Sequence, residues 1–322
     1  MRFATLDNGT RDGQLVAVSQ DGLRCAPVPG IATLQAALDD WAANLPVLGD
    51  TAAALEKGEG EAFDASRALA PLPRAYQWMD ASGYLSHLER VRRARGASLP
   101  PGIREEPIIY QGLSDRNLAW NAPLPAAPGW GADFEGELAV IVDDVPQGVD
   151  AQDAGKYIRL VVLLNDVSLR ELIPGELAKG FGFFVSKPAS AFAPVAVTPD
   201  ELGPGWNGRA LAARMEVDLN GIRLGTLRTG GAEQHFDFPA IIAYAARTRA
   251  IGAGSIVGAG TVSNADEGAG VACLAEKRVL EQIHHGKPST PWLVPGDRLK
   301  IRVLLDDGRA PFGAIEQEVA AA

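Results

Sequence analysis

The chain has 322 residues, 47% hydrophobic and 22% charged, with a formal net charge of −10 and a pI of about 5.0. That length suits about two domains with a sizeable core, and the acidic balance excludes nucleic acid and anionic membrane as partners while favouring cations. Two cysteines, Cys25 and Cys273, exclude a disulfide framework and predict a reducing, cytoplasmic setting, with no apolar run long enough for a membrane span and no signal-peptide pattern at the start.

In chain order, turn residues Gly9, Gly13 and Asp21-Gly22 separate short apolar runs at 3–6, 14–19 and 23–26, which predict strands. Thr33 is a candidate N-cap for a helix over 34–41, and a second helix is predicted over 51–57. Pro71 and Pro73 mark a boundary, so residues 1–70 are read as a small N-terminal α/β domain and 71–322 as the main domain. The pattern over 76–96 predicts one helix carrying Asp80 and His87 two turns apart on one face. It also carries Arg90, Arg92, Arg93 and Arg95, a solvated face in a chain this acidic.

A short strand over 107–112 contains Tyr110. The run 133–142 is a β-branched strand headed by Glu135 and Glu137, which share a face at a period of two. Two close like charges on a covered face are relieved by a divalent cation, which hard carboxylate oxygens suit. A second buried strand, 157–165, ends in Asn165-Asp166-Val167-Ser168-Leu169-Arg170, placing another carboxylate at a strand end. Asn220-Gly221 and Asp306-Asp307-Gly308 predict hairpins, and 239–249 predicts a helix capped near Asp237. The glycines at 252, 254, 258 and 260 follow a helix, so they do not form a dinucleotide fingerprint; they let backbone come close to a ligand or corner. Cys273, in Val271-Ala272-Cys273-Leu274-Ala275, reads as inert packing rather than as a nucleophile partnered by His284 or His285, which are placed in a loop. Strands outnumber helices past residue 100 without regular alternation. The expected fold class is therefore α+β, mostly β, with a rolled mixed β-sheet core and no doubly wound parallel sheet.

The ordered set Asp80…His87, Glu135-Gly136-Glu137, Asn165-Asp166-Val167-Ser168-Leu169-Arg170, Ala178-Lys179-Gly180-Phe181, Gly260-Thr261-Val262-Ser263 and Glu276 resembles the fumarylacetoacetate hydrolase family. The resemblance runs from about residue 76 to the C-terminus. It implies Asp80, Glu135, Glu137 and Asp166 as ligands of Mg2+ or Ca2+. It implies His87 oriented by Glu276 as the base, Lys179 and Arg95 as catalytic cations, and Arg95, Tyr110, Ser82 and Thr261 as substrate contacts. The span from Asp166 to Lys179 is shorter than in the longer hydrolases, with Ile173 and Pro174 in place of their substrate-contacting Gln and Tyr. The implied activity is hydrolysis of a carbon–carbon bond in a β-diketo acid, with fumarylacetoacetate giving fumarate and acetoacetate, by a homodimer. Acylpyruvate hydrolysis, 2-keto-4-pentenoate hydration, 2-oxo diacid decarboxylation and a noncatalytic metal-binding role on the same fold are the alternatives.

Overall fold

The computed structural model describes residues 1–94, 98–99 and 101–322. Its first strands, β1 (Arg2–Leu6), β2 (Gln14–Val18) and β3 (Arg24–Pro27), form an antiparallel meander. The Thr33 side chain accepts from the Ala36 N–H and caps α1 (Leu34–Asp39), and Asp40 caps α2 (Trp41–Glu56). The second helix thus starts ten residues before the expected position. Pro46 and Gly49 weaken its local signal, but burial of Trp41, Leu48 and Leu55 overrides propensity.

After β4 (Glu61–Ala62), the expected helix over 76–96 divides into β5 (Trp78–Ala81) and α3 (Leu85–Ala94). All four β5 residues are buried, so the strand shows no polar–apolar alternation in sequence. Gly83 forms the corner between them: a Cβ there would press on the carbonyl oxygens of Ala259 and Phe236. Asp80 therefore lies on a strand and His87 on a helix, not on one helix face.

The chain continues through β6 (Ile109–Gln111), β7 (Leu124–Ala126), β8 (Ala132–Asp133), β9 (Gly136–Val142), α4 (Ala151–Ala154), β10 (Ile158–Asn165), β11 (Ser168–Leu169) and α5 (Ile173–Leu177). Then come β12 (Ala191–Phe192), β13 (Ala196–Val197), β14 (Arg214–Leu219), β15 (Ile222–Arg228), α6 (Phe238–Ala245), β16 (Ser255–Gly258), α7 (Leu274–His285), β17 (Arg298–Leu304) and β18 (Ala314–Ala321). His284 and His285 are the last residues of α7 rather than loop residues, and Gly286, with φ of 79°, ends the helix.

The main sheet has the order β4-β3-β2-β1-β13-β10-β9-β16-β5-β6, with β12 also on β10, and β16–β5 is parallel. A second sheet, β15-β14-β17-β18-β7, has one parallel pair, β18–β7. A short β11–β8 pair stands apart, and neither large sheet closes into a barrel. The fold is mixed α+β. The main sheet runs unbroken from the first strands into the later ones.

β9 and β10 are buried on both faces. Leu138, Val140 and Val142 join the core toward the second sheet, while Ala139 and Ile141 join the core with Phe3, Leu34, Trp41 and Trp78. This is why their sequence reads as continuous apolar runs.

Candidate active site

Glu137 shares the alternation of Ala139 and Ile141, and Asp80 that of Trp78, so β9 and β5 both place a carboxylate at this end of the sheet. Between them on β16, Gly258 is required: a Cβ there would collide with Asp80 Oδ1. Asp166 follows the last residue of β10, and its N–H donates to the Glu135 carbonyl at 3.0 Å. Oxygens of Asp80, Glu137 and Asp166 come within 4.8 Å of one another, and all three residues are buried.

Burial, and then the charge of Asp166, raise the Asp80 carboxyl well above its ordinary range. Burial and the charges of Asp80 and Asp166 do the same to Glu137. Glu137 Oε2 is buried with no hydrogen-bond donor among the described residues, while Oε1 accepts from Thr261 Oγ1 at 3.5 Å. An orphaned carboxylate oxygen beside two further carboxylates is the donor set a hard divalent cation requires.

Glu135 stands at the edge of this group and is satisfied by protein. Arg170 donates to its Oε1 at 2.7 Å, and Lys187 and Ser168 donate to its Oε2 at 2.5 and 3.1 Å. Burial alone would raise its carboxyl; Arg170 and Lys187 hold it below the usual range instead. Its N–H donates to Asn165 Oδ1 at 2.9 Å, and Asn165 in turn donates to Gln317 Oε1 at 2.8 Å, tying the strand end to the second sheet.

The buried lysine is Lys187, not Lys179. Lys179 is exposed just after α5. Gly180, with φ of 80°, turns the chain back through an aromatic loop, and this brings Lys187 Nζ to 2.6 Å from Asp166 and 5.1 Å from the Tyr110 ring centroid. Burial would lower its pKa; Asp166 and Glu135 keep it raised and charged. Lys187 stands 21 residues after Asp166, against 13 for Lys179. Ile173 still lines the site.

His87 and Glu276 meet from different elements. His87 Nδ1 lies 2.8 Å from Glu276 Oε2, and Glu276 is fully buried in the first turn of α7. Cys273 Sγ accepts from the Glu276 N–H at 3.3 Å, so the cysteine is a buried helix cap. Asp133, also buried, accepts from the Leu274 and Ala275 N–H groups and from Arg170 Nε, fixing the start of α7 against the site.

Asp80, Ser82, His87, Tyr110, Glu135, Arg170, Ile173, Phe183, Lys187 and Thr261 line one cavity of about 150 Å³. Tyr110 donates to Asp166 Oδ2, and its ring meets Phe183 edge-on at 5.4 Å. Arg95 lies outside the described residues. Arg90, Arg170, Lys187, Asp133 and Ser263 were not singled out as site residues in the sequence. For Arg90 a signal existed: it is three residues after His87, on the same helix face. Asp133 directly precedes Phe134-Glu135 and carried none.

Residues 77–320 match the fumarylacetoacetate (FAA) hydrolase C-terminal family model, and residues 1–74 match fumarylacetoacetase N-terminal domain 2. The chain belongs to the fumarylacetoacetate hydrolase family, a family of enzymes. An uncharacterized protein from Pyrococcus abyssi is 28% identical over 191 residues, covering 56% of this chain and 75% of that protein. Maleylpyruvate hydrolase from Sphingobium sp. SYK-6, solved with manganese(II) and pyruvate, is 18% identical with a TM-score of 0.66, and both chains are covered completely. 5-Carboxymethyl-2-hydroxymuconate delta-isomerase from Mycobacterium smegmatis is 18% identical with a TM-score of 0.63, covering 100% of this chain and 99% of that one. At this identity, the solved structures establish the fold. No helix among the described residues is long and apolar enough to cross a membrane.

Proposed function

We propose that this protein is a divalent-metal-dependent hydrolase that cleaves a carbon–carbon bond in a β-diketo acid, with 4-fumarylacetoacetate, giving fumarate and acetoacetate, as the leading substrate. The observation that carries this reading is the orphaned Glu137 Oε2 among three buried carboxylates, with a Glu-held histidine in the adjoining cavity. Asp80, Glu137 and Asp166 would hold the cation, with Glu135 next to them; all-oxygen donors suit Mg2+, Ca2+ or Mn2+. A cation bound there supplies Lewis-acid stabilisation of the diketone and enolate oxygens.

The side chains supply the rest. Glu276 holds Nδ1 of His87 as a donor, leaving Nε2 to take a proton from water. The hydroxide oxygen bonds to the acyl carbon, the bond to the neighbouring carbon breaks with its electron pair, and that carbon takes up a proton. The Lys187 ammonium, held by Asp166 and Glu135, would donate to the developing oxyanion, the role that the resemblance implies for Lys179. Tyr110, Ser82 and Thr261 would contact the substrate, and Arg95 is a candidate for its far carboxylate.

Acylpyruvate hydrolysis is the second reading, favoured by the likeness to a maleylpyruvate hydrolase solved with pyruvate. Purified protein assayed with Mg2+, Ca2+ or Mn2+ against β-diketo acids and acylpyruvates separates the two. Turnover of fumarylacetoacetate well above that of any acylpyruvate supports the first reading; the reverse order selects the second, and no cleavage of either defeats both. We expect a homodimer. The support is an exposed apolar rim near the cavity, with Phe181 85% and Phe184 84% exposed; light scattering reads the mass directly.

A further inference from the structure

We propose that Arg90 and Ser263 are positioning residues that set the tautomer of His87 through Glu276. This rests on the reading above, in which His87 is the base.

Arg90 is 7% exposed, and Ser263 and Glu276 are fully buried. Arg90 Nη1 donates to Glu276 Oε1 and, at 3.1 Å, to Ser263 Oγ; its Nη2 donates to the Ala265 carbonyl at 3.2 Å. Ser263 Oγ donates to Glu276 Oε1 at 3.0 Å and accepts from Ser86 Oγ at 2.9 Å. One carboxylate oxygen is thus held by Arg90 and Ser263, and the other is left for His87. Arg90 and His87 stand on the same face of α3, one turn apart, so the base and its remote anchor move as a unit.

A carboxylate this buried stays ionised only if cationic and hydroxyl donors replace water. While it is ionised it can only accept, so His87 Nδ1 must carry the proton, and in the neutral ring Nε2 is then bare. If Glu276 is protonated, it donates to Nδ1, the ring proton moves to Nε2, and the base is lost. Burial raises the Glu276 carboxyl, and its hydrogen bond to His87, the Arg90 guanidinium and the Ser263 hydroxyl hold it below the usual range. A guanidinium that only filled space would have no effect on which ring nitrogen is protonated.

Four histidines make the side-chain 15N spectrum assignable, with His87→Gln identifying the His87 signals. In the wild type, Nδ1 is expected protonated and Nε2 bare. In Arg90→Ala, the expected result is a shift toward the Nε2-protonated ring and a turnover loss of roughly 10- to 100-fold. KM should change little, and added guanidinium should restore part of the rate. Arg90→Lys should retain most of the wild-type tautomer, and Ser263→Ala should shift it partway. An unchanged tautomer and turnover in a folded Arg90→Ala overturns the proposal. If that variant does not fold, unchanged tautomer populations in both Arg90→Lys and Ser263→Ala overturn it. A tautomer shift in Arg90→Ala combined with full turnover in His87→Ala keeps the positioning role and removes the catalytic one.

Discussion

Two buried acid clusters lie side by side and differ in how their charge is balanced. Around Glu276, protein donors occupy both oxygens: His87 on one, Arg90 and Ser263 on the other. Around Glu137, one oxygen has no partner among the described residues, and Asp80 and Asp166 add repulsion. Glu135 lies between the two cases, adjoining the trio yet paired with Arg170 and Lys187. A buried carboxylate can be stabilised by a fixed side-chain cation or left for a mobile one. The first gives a rigid orienting group, and the second gives a binding site. The comparison explains why burial alone does not identify a ligand: what marks the open cluster is the one unfilled oxygen, Glu137 Oε2, since Asp166 is itself held by Tyr110, Lys187 and Ser190.

The largest effect should come from the open cluster. Glu137→Ala removes a proposed ligand, so metal affinity and turnover should fall together, the latter by roughly 10³-fold or more. Titration calorimetry alongside kinetics reads both, and a variant that keeps wild-type metal affinity contradicts the ligand role. Next, His87→Ala acts on the closed cluster. Turnover should drop by a factor on the order of 10² to 10⁴, with metal affinity nearly unchanged. Wild-type turnover in that variant returns His87 to a helix-surface role.

Metal removal sharpens the contrast in stability. Chelation should leave the His87–Glu276 pair in place but expose the repulsion among Asp80, Glu137 and Asp166. Returning the cation at about 100 times its Kd should raise unfolding free energy by about 2.7 kcal/mol. A melting temperature insensitive to both chelator and cation counts against the site.

The smallest effect concerns the loop that delivers Phe183 and Lys187. Glu176 accepts from the N–H groups of Phe184, Val185 and Ser186 and from the Ser186 hydroxyl. The Ser186 hydroxyl, opposed by burial, and then the backbone donors lower its pKa from 4.5 to about 2. A depressed folded-state value means that this stabilisation is complete above about pH 4.5 and is lost as pH falls toward 2. Proteolysis within 180–186 should therefore be constant from pH 8 to 5 and speed up at pH 3. At pH 7, Glu176→Gln should reproduce part of that acceleration with a severalfold rise in KM. Identical cleavage at pH 7 and pH 3 would mean that the carboxylate does not hold the loop.

Much of this was legible in the sequence. The Glu-x-Glu strand, Asp166 at a strand end and the late Glu276 stand in order along the chain, and the two hairpins carry their own turn residues. The β-rich α+β class followed from the lack of strand–helix alternation. What was missed depended on tertiary burial. Trp78–Ala81 is buried on every side, so it offered no period-two signal and was absorbed into the helix that follows. Lys179 and Lys187 flank one aromatic loop, and only the turn at Gly180 decides which of them enters the site. Arg90 sat among arginines that read as a solvated face, although packing of α3 against α7 buries it on Glu276.

The most direct test of the central claim is a crystal of the purified protein soaked in Mn2+, examined for anomalous scattering. The account predicts one strong peak among Asp80, Glu137 and Asp166, with oxygen ligands at about 2.0–2.6 Å, and no peak at His87, Cys273 and Glu276. Absence of a peak at the carboxylates, or a stronger one at the histidine cluster, would contradict it.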